Sequence, residues 1–120
     1  MDSTTPHRVF RMAFSSLYAC YTQKVTKKYR STEELDTVIC WLTGYSREAL
    51  ATLRESDTDL QTFFAEAPQM HPARVLITGK ICGVQIDAIE DPTMRSIRYL
   101  DKLVDELAKG RPLEKILRKS

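Results

Sequence analysis

The sequence predicts an all-α protein, a compact orthogonal bundle of about six helices. Two observations carry this prediction. Apolar residues recur three and four positions apart along most of the 120-residue chain, which is the period of a helix with one buried face. Residues that start helices (Ser, Asp) and end them (Gly) separate these stretches. We expect a disordered tail over residues 1–7 and a single helical domain over residues 8–120.

The first two helices have different kinds of signal. The first is expected over about residues 15–29, because its apolar residues fall on one face. The second opens on a capping box, with Ser31 as N-cap and Glu34 three residues later. Gly44 is expected to end it. The apolar stripe of the first helix comprises Phe14, Leu17, Tyr18, Tyr21 and Val25.

Two shorter helices are predicted next, followed by an ambiguous segment. Ser46 suits the N-cap of the third helix, and Thr58 or Asp57 that of the fourth. Residues 71–89 are compatible with two short strands, since they are β-branched and contain glycines. They are equally compatible with a short helix, a glycine-rich connection and a helical turn. The surrounding helices favour a short irregular glycine-containing segment near residues 78–88.

Residues 90–110 carry the clearest helix signal in the chain. Asp91 suits the N-cap, and Pro92 suits the first helical position, where a missing N–H costs nothing. Gly110 suits the left-handed residue beyond the helix end, and a last short helix is expected to start at Pro112. The predicted buried face comprises Met94, Ile97, Leu100, Leu103, Val104 and Leu107.

The composition argues against several functional classes. A net charge of +2 is too small to indicate a nucleic-acid or membrane partner by itself. No apolar run reaches the roughly 20 residues of a membrane span, and the first residues are unlike a signal peptide. The three cysteines are widely spaced, and neither histidine has a neighbour at metal-ligand spacing. We therefore expect a cytoplasmic protein without a metal, a cofactor or membrane contact.

Several motifs resemble those of a family of small bacterial proteins of unknown function. They are WLTGY (residues 41–45), ITGKICG (77–83), IEDPTM (89–94) and IRYLDKLVDELAKG (97–110). The resemblance covers residues 8–118. It implies a compact, mostly helical, single-domain bacterial protein, and it carries no catalytic residues.

Individual residues offer only weak catalytic candidates. The Gly-Lys pair at Lys80 lacks the remaining residues of a phosphate-binding loop. Cys82 lies next to a glycine and is the better candidate for a reactive thiol. Asp91 could do acid–base work with Glu90, although capping already accounts for it. Because no catalytic constellation is recognisable, the sequence favours a non-enzymatic interaction module.

The candidate binding surface comprises Trp41, Tyr45, Arg98 and Tyr99, since aromatic and Arg side chains are enriched at interfaces. The expected partner is another protein or a second copy of the chain. The alternative is nucleic-acid binding through a helix-turn-helix-like segment over residues 33–54. A basic cluster at the end of the first helix (Lys24, Lys27, Lys28 and Arg30) is a second route to the same function. A further alternative is a small enzyme or ligand-binding protein that uses residues 78–101.

Overall fold

The computed structural model describes residues 9–81 and 83–119. The described chain is mostly helical, as predicted; the predicted tail over residues 1–7 lies outside it. Residues 9–11 are helical. The α-helices that follow are α1 (Phe14–Thr26), α2 (Thr32–Thr43), α3 (Arg47–Leu53), α4 (Leu60–Ala65), α5 (Pro92–Ala108) and α6 (Leu113–Ile116).

The strongest capping signals are confirmed. The Glu34 N–H donates to Ser31 Oγ at 3.1 Å, and the Ser31 N–H donates back to Glu34 Oε1 at 3.1 Å. Gly44 ends α2 in the left-handed conformation, with φ +83°. The Met94 N–H donates to Asp91 Oδ1 at 3.0 Å, so Asp91 caps α5. These three sites fix both ends of α2 and the start of α5.

The predicted cap of α4 is wrong by one or two residues. Asp59, and neither Thr58 nor Asp57, is the N-cap, and its carboxylate accepts the Thr62 N–H at 2.8 Å. Asp59 is extended and pairs with Ala13, and the Thr58 carbonyl accepts the Phe14 N–H at 2.8 Å. The Leu60 N–H in turn donates to the Met12 carbonyl at 2.9 Å. Because residues 58–60 pair with residues 12–14, α4 begins only at Leu60.

The segment over residues 71–89 combines both predicted alternatives. A 3₁₀ helix spans Pro72–Leu76, and a second one spans Ile86–Ala88. Between them lies a small antiparallel hairpin rather than an irregular segment, with strands β1 (Lys80–Ile81) and β2 (Val84–Gln85). Lys80 pairs with Gln85 and Ile81 with Val84. The Lys102 ammonium of α5 donates to the Lys80 carbonyl at 3.1 Å, a contact between residues distant in the sequence.

The long helix α5 supplies the centre of the core. Its buried residues include Ile97, Leu100, Leu103, Val104 and Leu107, all of which were predicted from their spacing. Helices α1, α2 and α4 pack on it. Aromatic rings join the elements on one side, where Phe14 of α1 stacks on Phe63 of α4 with ring centroids 4.1 Å apart. Because α5 extends through the bundle, both of its ends are places where several elements meet.

Candidate functional site

A pocket of about 330 Å³ opens where α4, the first 3₁₀ helix and the first half of α5 meet. Part of its wall is apolar, from Phe64, Met70, Val75 and Pro92. Two arginines, Arg74 and Arg95, also line it, together with the side chains of Thr93, Ser96 and Tyr99. We call it the arginine pocket.

The chain around His71 builds one side of the arginine pocket. The Ala73 N–H donates to His71 Nδ1 at 3.0 Å, so His71 caps the 3₁₀ helix that carries Arg74. The His71 ring stacks on Trp41 of α2 with centroids 4.2 Å apart. The capped start of the 3₁₀ helix is therefore held against the core, and the helix presents Arg74 and Val75 to the pocket.

Backbone carbonyls fix both arginines. Arg74 Nη1 donates to the Met70 carbonyl at 3.2 Å and to the His71 carbonyl at 2.9 Å. Arg95 Nε donates to the Ile89 carbonyl at 2.8 Å, and its Nη2 donates to the same oxygen. A guanidinium has five N–H donors, so each arginine keeps donors for a ligand. Each is thus held in place without having its charge neutralised.

Four other arginines in the described chain are paired with carboxylates. Arg30 is 2.9 Å from Glu34, and Arg98 is 3.0 Å from Asp101. Arg111 and Arg118 share the buried Glu106, at 3.1 and 2.5 Å. Among the described residues, neither Arg74 nor Arg95 has an acidic partner, and the lining of the arginine pocket contains no Asp or Glu. The site therefore carries an excess of positive charge.

The remaining polar side-chain groups that line the pocket are the hydroxyls of Thr93, Ser96 and Tyr99. Tyr99 is 6% exposed, so its ring is mostly covered while it still lines the cavity. Asp91 stands one residue before the lining residue Pro92, and one of its carboxylate oxygens is already used as the cap of α5. Chemically, the arrangement suits an anionic group that has an apolar group beside it, since fixed guanidinium donors bind carboxylates well.

Of the predicted surface residues, only Tyr99 lines the arginine pocket. Tyr45 is half-buried, and its hydroxyl donates to the Phe63 carbonyl at 2.6 Å. Burial raises the pKa of Tyr45. Trp41 is half-buried against His71. Both residues therefore support elements that form the pocket walls, rather than lining the pocket.

Arg98 lies in a different environment from its neighbour Tyr99. Its guanidinium contacts Asp101, which also accepts the Tyr21 hydroxyl of α1. Its Nε is buried and has no hydrogen-bond partner among the described residues. Consecutive helix residues are about 100° apart around the axis, which explains why the two side chains reach different neighbours.

The weaker candidates do not join the pocket. Lys80 is exposed, and its carbonyl accepts from Lys102. Asp91 is exposed and acts as a cap, and Cys82 lies outside the described residues. Burial raises the pKa of the half-buried Cys40 thiol, which opposes thiolate formation there. The described residues contain no group of three or more His, Cys, Asp or Glu placed to hold a metal ion.

The helix-turn-helix-like segment is present as α2, Gly44 and α3. Its two arginines contact neighbouring side chains. Arg47 Nη2 donates to Thr37 Oγ1 at 2.5 Å, and the Arg54 guanidinium lies 4.3 Å from the centre of the Tyr18 ring. Nucleic-acid binding through α3 remains a prediction.

Sequence reasoning missed Arg74 and Arg95. Arg95 falls on the polar face of α5, where a solvent-exposed side chain is the ordinary expectation. Arg74 falls in the segment whose structure the sequence left open. The available signal was that both arginines lie in the first turn of a helix, since each follows a helix start by two or three residues. The sequence could not indicate that the two helix starts meet.

These features describe a small, mostly helical protein, and the comparisons with known proteins agree. A family model described as an uncharacterized protein conserved in bacteria (DUF2200) matches residues 8–118. The chain belongs to this family, as its motifs indicated. The solved structure of the uncharacterized protein SP1917 is similar, with a TM-score of 0.88 and 42% sequence identity over 92% of this chain and 90% of that chain. The comparison with curated proteins found no match. No helix in the described part of the chain is both long and apolar enough to cross a membrane.

Proposed function

We propose that the protein is a non-catalytic interaction module. Its partner is a protein segment that places a carboxylate in the arginine pocket and an apolar side chain beside it. The observation that carries this proposal is that Arg74 and Arg95 line one pocket together, are held there by backbone carbonyls, and have no acidic partner within the described chain. An acidic partner supplies the missing charge.

Carbonyl anchoring makes these arginines effective binding groups. A side chain already held in one geometry loses less conformational freedom when a ligand binds. Arg95 is held by the Ile89 carbonyl and Arg74 by two carbonyls, and both leave donors for an incoming carboxylate. Bidentate contacts between Arg and carboxylate are stronger than neutral hydrogen bonds.

Exposed apolar side chains favour a protein segment over a free organic acid. Val75 is 64% exposed and Leu76 is 45% exposed, although both are large and apolar. They follow Arg74 directly on the 3₁₀ helix, and Val75 also lines the pocket. A small acid would fill the pocket and leave Leu76 in water, whereas a peptide can cover both.

The test is selection of short random peptides on the immobilised protein, followed by fluorescence anisotropy with the selected peptides. We expect peptides with Asp or Glu next to Leu, Ile or Val. Arg74→Gln or Arg95→Gln should weaken binding roughly 10- to 100-fold, because a hydrogen bond to a charged group contributes about 1.5–3 kcal/mol. Replacing the peptide's acids by their amides should have a similar effect.

The matched control is Arg47→Gln, which removes the same charge from α3, away from the pocket lining. It should leave the affinity unchanged. Selection of neutral or basic peptides, or equal binding by the Arg74→Gln/Arg95→Gln double variant, would overturn the proposal. Sedimentation of the protein alone tests the competing occupant: a dimer that Arg95→Gln dissociates would assign the pocket to a second copy of the chain.

A further inference from the structure

The turn after α1 has an unusual residue at its tightest point. The Tyr29 N–H donates to the Thr26 carbonyl at 3.0 Å, and the Arg30 N–H donates to the Val25 carbonyl at 3.0 Å. Tyr29 has φ +65°. This is the left-handed position after a helix that favours glycine, since a Cβ is crowded there. Every other positive-φ residue in the described chain is a glycine.

Folding gains little from a tyrosine at this position. Tyr29 is 97% exposed, so its ring makes almost no packing contact that could offset the backbone strain. Glycine at position 29 would avoid the strain without losing such a contact. A residue that is strained and solvent-exposed indicates a role outside folding, since strained residues cluster at functional sites.

The turn is nevertheless held firmly in place. Arg30 Nε donates to Glu34 Oε1 at 3.1 Å, and its Nη1 donates to the Arg111 carbonyl at 2.8 Å. The same group reaches the Leu107 carbonyl at the end of α5. Tyr29 therefore projects from a turn that is fixed to two other elements. Such a turn can present the ring to a partner without a large loss of freedom.

Three lysines precede Tyr29, in the last turn of α1 and in the residues that follow this helix. Lys27 and Lys28 are exposed and have no ion pair within the described chain. Lys24 shares Asp105 with Lys109, at 3.3 and 3.0 Å, so these three groups together carry +1. The lysines also offset the negative end of the α1 dipole, which explains their presence at a helix end. The dipole does not explain the exposed ring.

We infer that Lys27, Lys28 and Tyr29, which we call the Tyr29 corner, contact single-stranded nucleic acid. The ring would stack on a base, and the lysines would contact the neighbouring phosphates. Single strands present base faces that are free to stack, and this contact is tolerant of sequence. A purely acidic peptide would use the lysines but offers no group to stack on the aromatic ring.

This site is separate from the arginine pocket. Arg30 ties the Tyr29 corner to Leu107, whereas Arg95 belongs to the opposite end of α5. Twelve residues separate positions 95 and 107, or about 18 Å along a helix that rises 1.5 Å per residue. The inference does not depend on the proposed function, and either can fail alone.

The test measures fluorescence anisotropy of a labelled oligouridylate of about 15 nucleotides and of a duplex of equal length. At low salt we expect the single strand to bind more tightly. Tyr29→Gly should weaken its binding roughly tenfold, and Tyr29→Phe should preserve it. Lys27→Glu with Lys28→Glu should reduce the slope of log affinity against log salt by about 1.4, since each phosphate contact contributes about 0.7.

The control for the lysine variant is Lys80→Glu, which reverses the charge of an exposed lysine on the hairpin, away from the Tyr29 corner. The control should bind like the wild type. Thermal unfolding should show that Tyr29→Gly is folded, so lost binding cannot come from lost structure. The inference fails if no single strand binds at low salt, if Tyr29→Gly binds like the wild type, or if a labelled oligoglutamate binds more tightly than the oligouridylate.

Discussion

Gly44 should be much less tolerant of alanine than Gly110, although both follow a helix with positive φ. An added Cβ at Gly44 would lie 2.8 Å from the backbone N and O of Gln69. This backbone cannot rotate away, because the Gln69 N–H donates to the Thr43 carbonyl at 3.1 Å and the His71 N–H donates to the Leu42 carbonyl at 2.9 Å. At Gly110 an added Cβ would meet no atom within 4 Å among the described residues.

The two substitutions share one cost and differ in another. The left-handed conformation costs a residue with a Cβ about 1–2 kcal/mol, at φ +83° or φ +91° alike. Overpacking against fixed neighbours adds about 1–3 kcal/mol at Gly44. Gly44→Ala should therefore destabilise the protein by roughly 2–5 kcal/mol and Gly110→Ala by about 1–2 kcal/mol. Total stabilities of small domains are only about 5–15 kcal/mol.

Urea unfolding of the two variants measures this difference. The spectrum of Trp41, the only tryptophan, gives a local readout, because its ring stacks on His71 and a displaced Gln69 would disturb that stack. Gly44→Ala should change the Trp41 fluorescence of the folded protein, whereas Gly110→Ala should not. Equal losses of stability in the two variants would refute the argument from close backbone approach.

Two further predictions concern tyrosines. Tyr29→Gly should stabilise the protein by about 0.5–1 kcal/mol in urea unfolding, because it relieves left-handed strain at a small entropic cost. Tyr29→Ala keeps the strained Cβ and should be close to neutral. A Gly variant less stable than the Ala variant would contradict this prediction. Burial and the hydrogen bond to Asp36 raise the pKa of Tyr18 to about 12 from 10.0. The stability from its neutral form is present below about pH 10 and is lost as pH rises towards about 12. Between about pH 10 and 12 the wild type should therefore lose stability more steeply than Tyr18→Phe. Parallel pH profiles would count against the raised pKa.

The sequence predicted the elements whose signals are local. The capping box at Ser31 and the start of α5 at Asp91 depend on contacts within one helical turn, so residue types at fixed spacing were sufficient. The cap of α4 depends on pairing with residues 12–14, more than 40 positions away. The hairpin at Lys80 likewise receives a bond from Lys102. Local propensity contains no information about either contact.

The candidate site was less predictable for the same reason. Tyr99 was predicted from its residue type and its place at the edge of the buried face of α5, and it lines the pocket. Arg98 was placed on the same surface, but the ion pair with Asp101 draws it towards α1. Arg74 and Arg95 become notable only through the contacts that they lack, and a missing acidic partner is a property of the folded chain.

The distribution of partners along α5 explains why the two proposed surfaces lie at its ends. In the second half of α5, three carboxylates form ion pairs: Asp101 with Arg98 of the same helix, Asp105 with Lys24 of α1, and Glu106 with Arg118. The pair of Asp105 with Lys24 holds α1 against α5, and the pair of Glu106 with Arg118 holds the C-terminal residues there. All of these pairs offset the negative charge of that half. In its first half, α5 presents Arg95 to a pocket without an acid. The cations at the start of α5 and in the turn after α1 are therefore among those that folding leaves available for a partner, and each group lies beside an aromatic or apolar side chain.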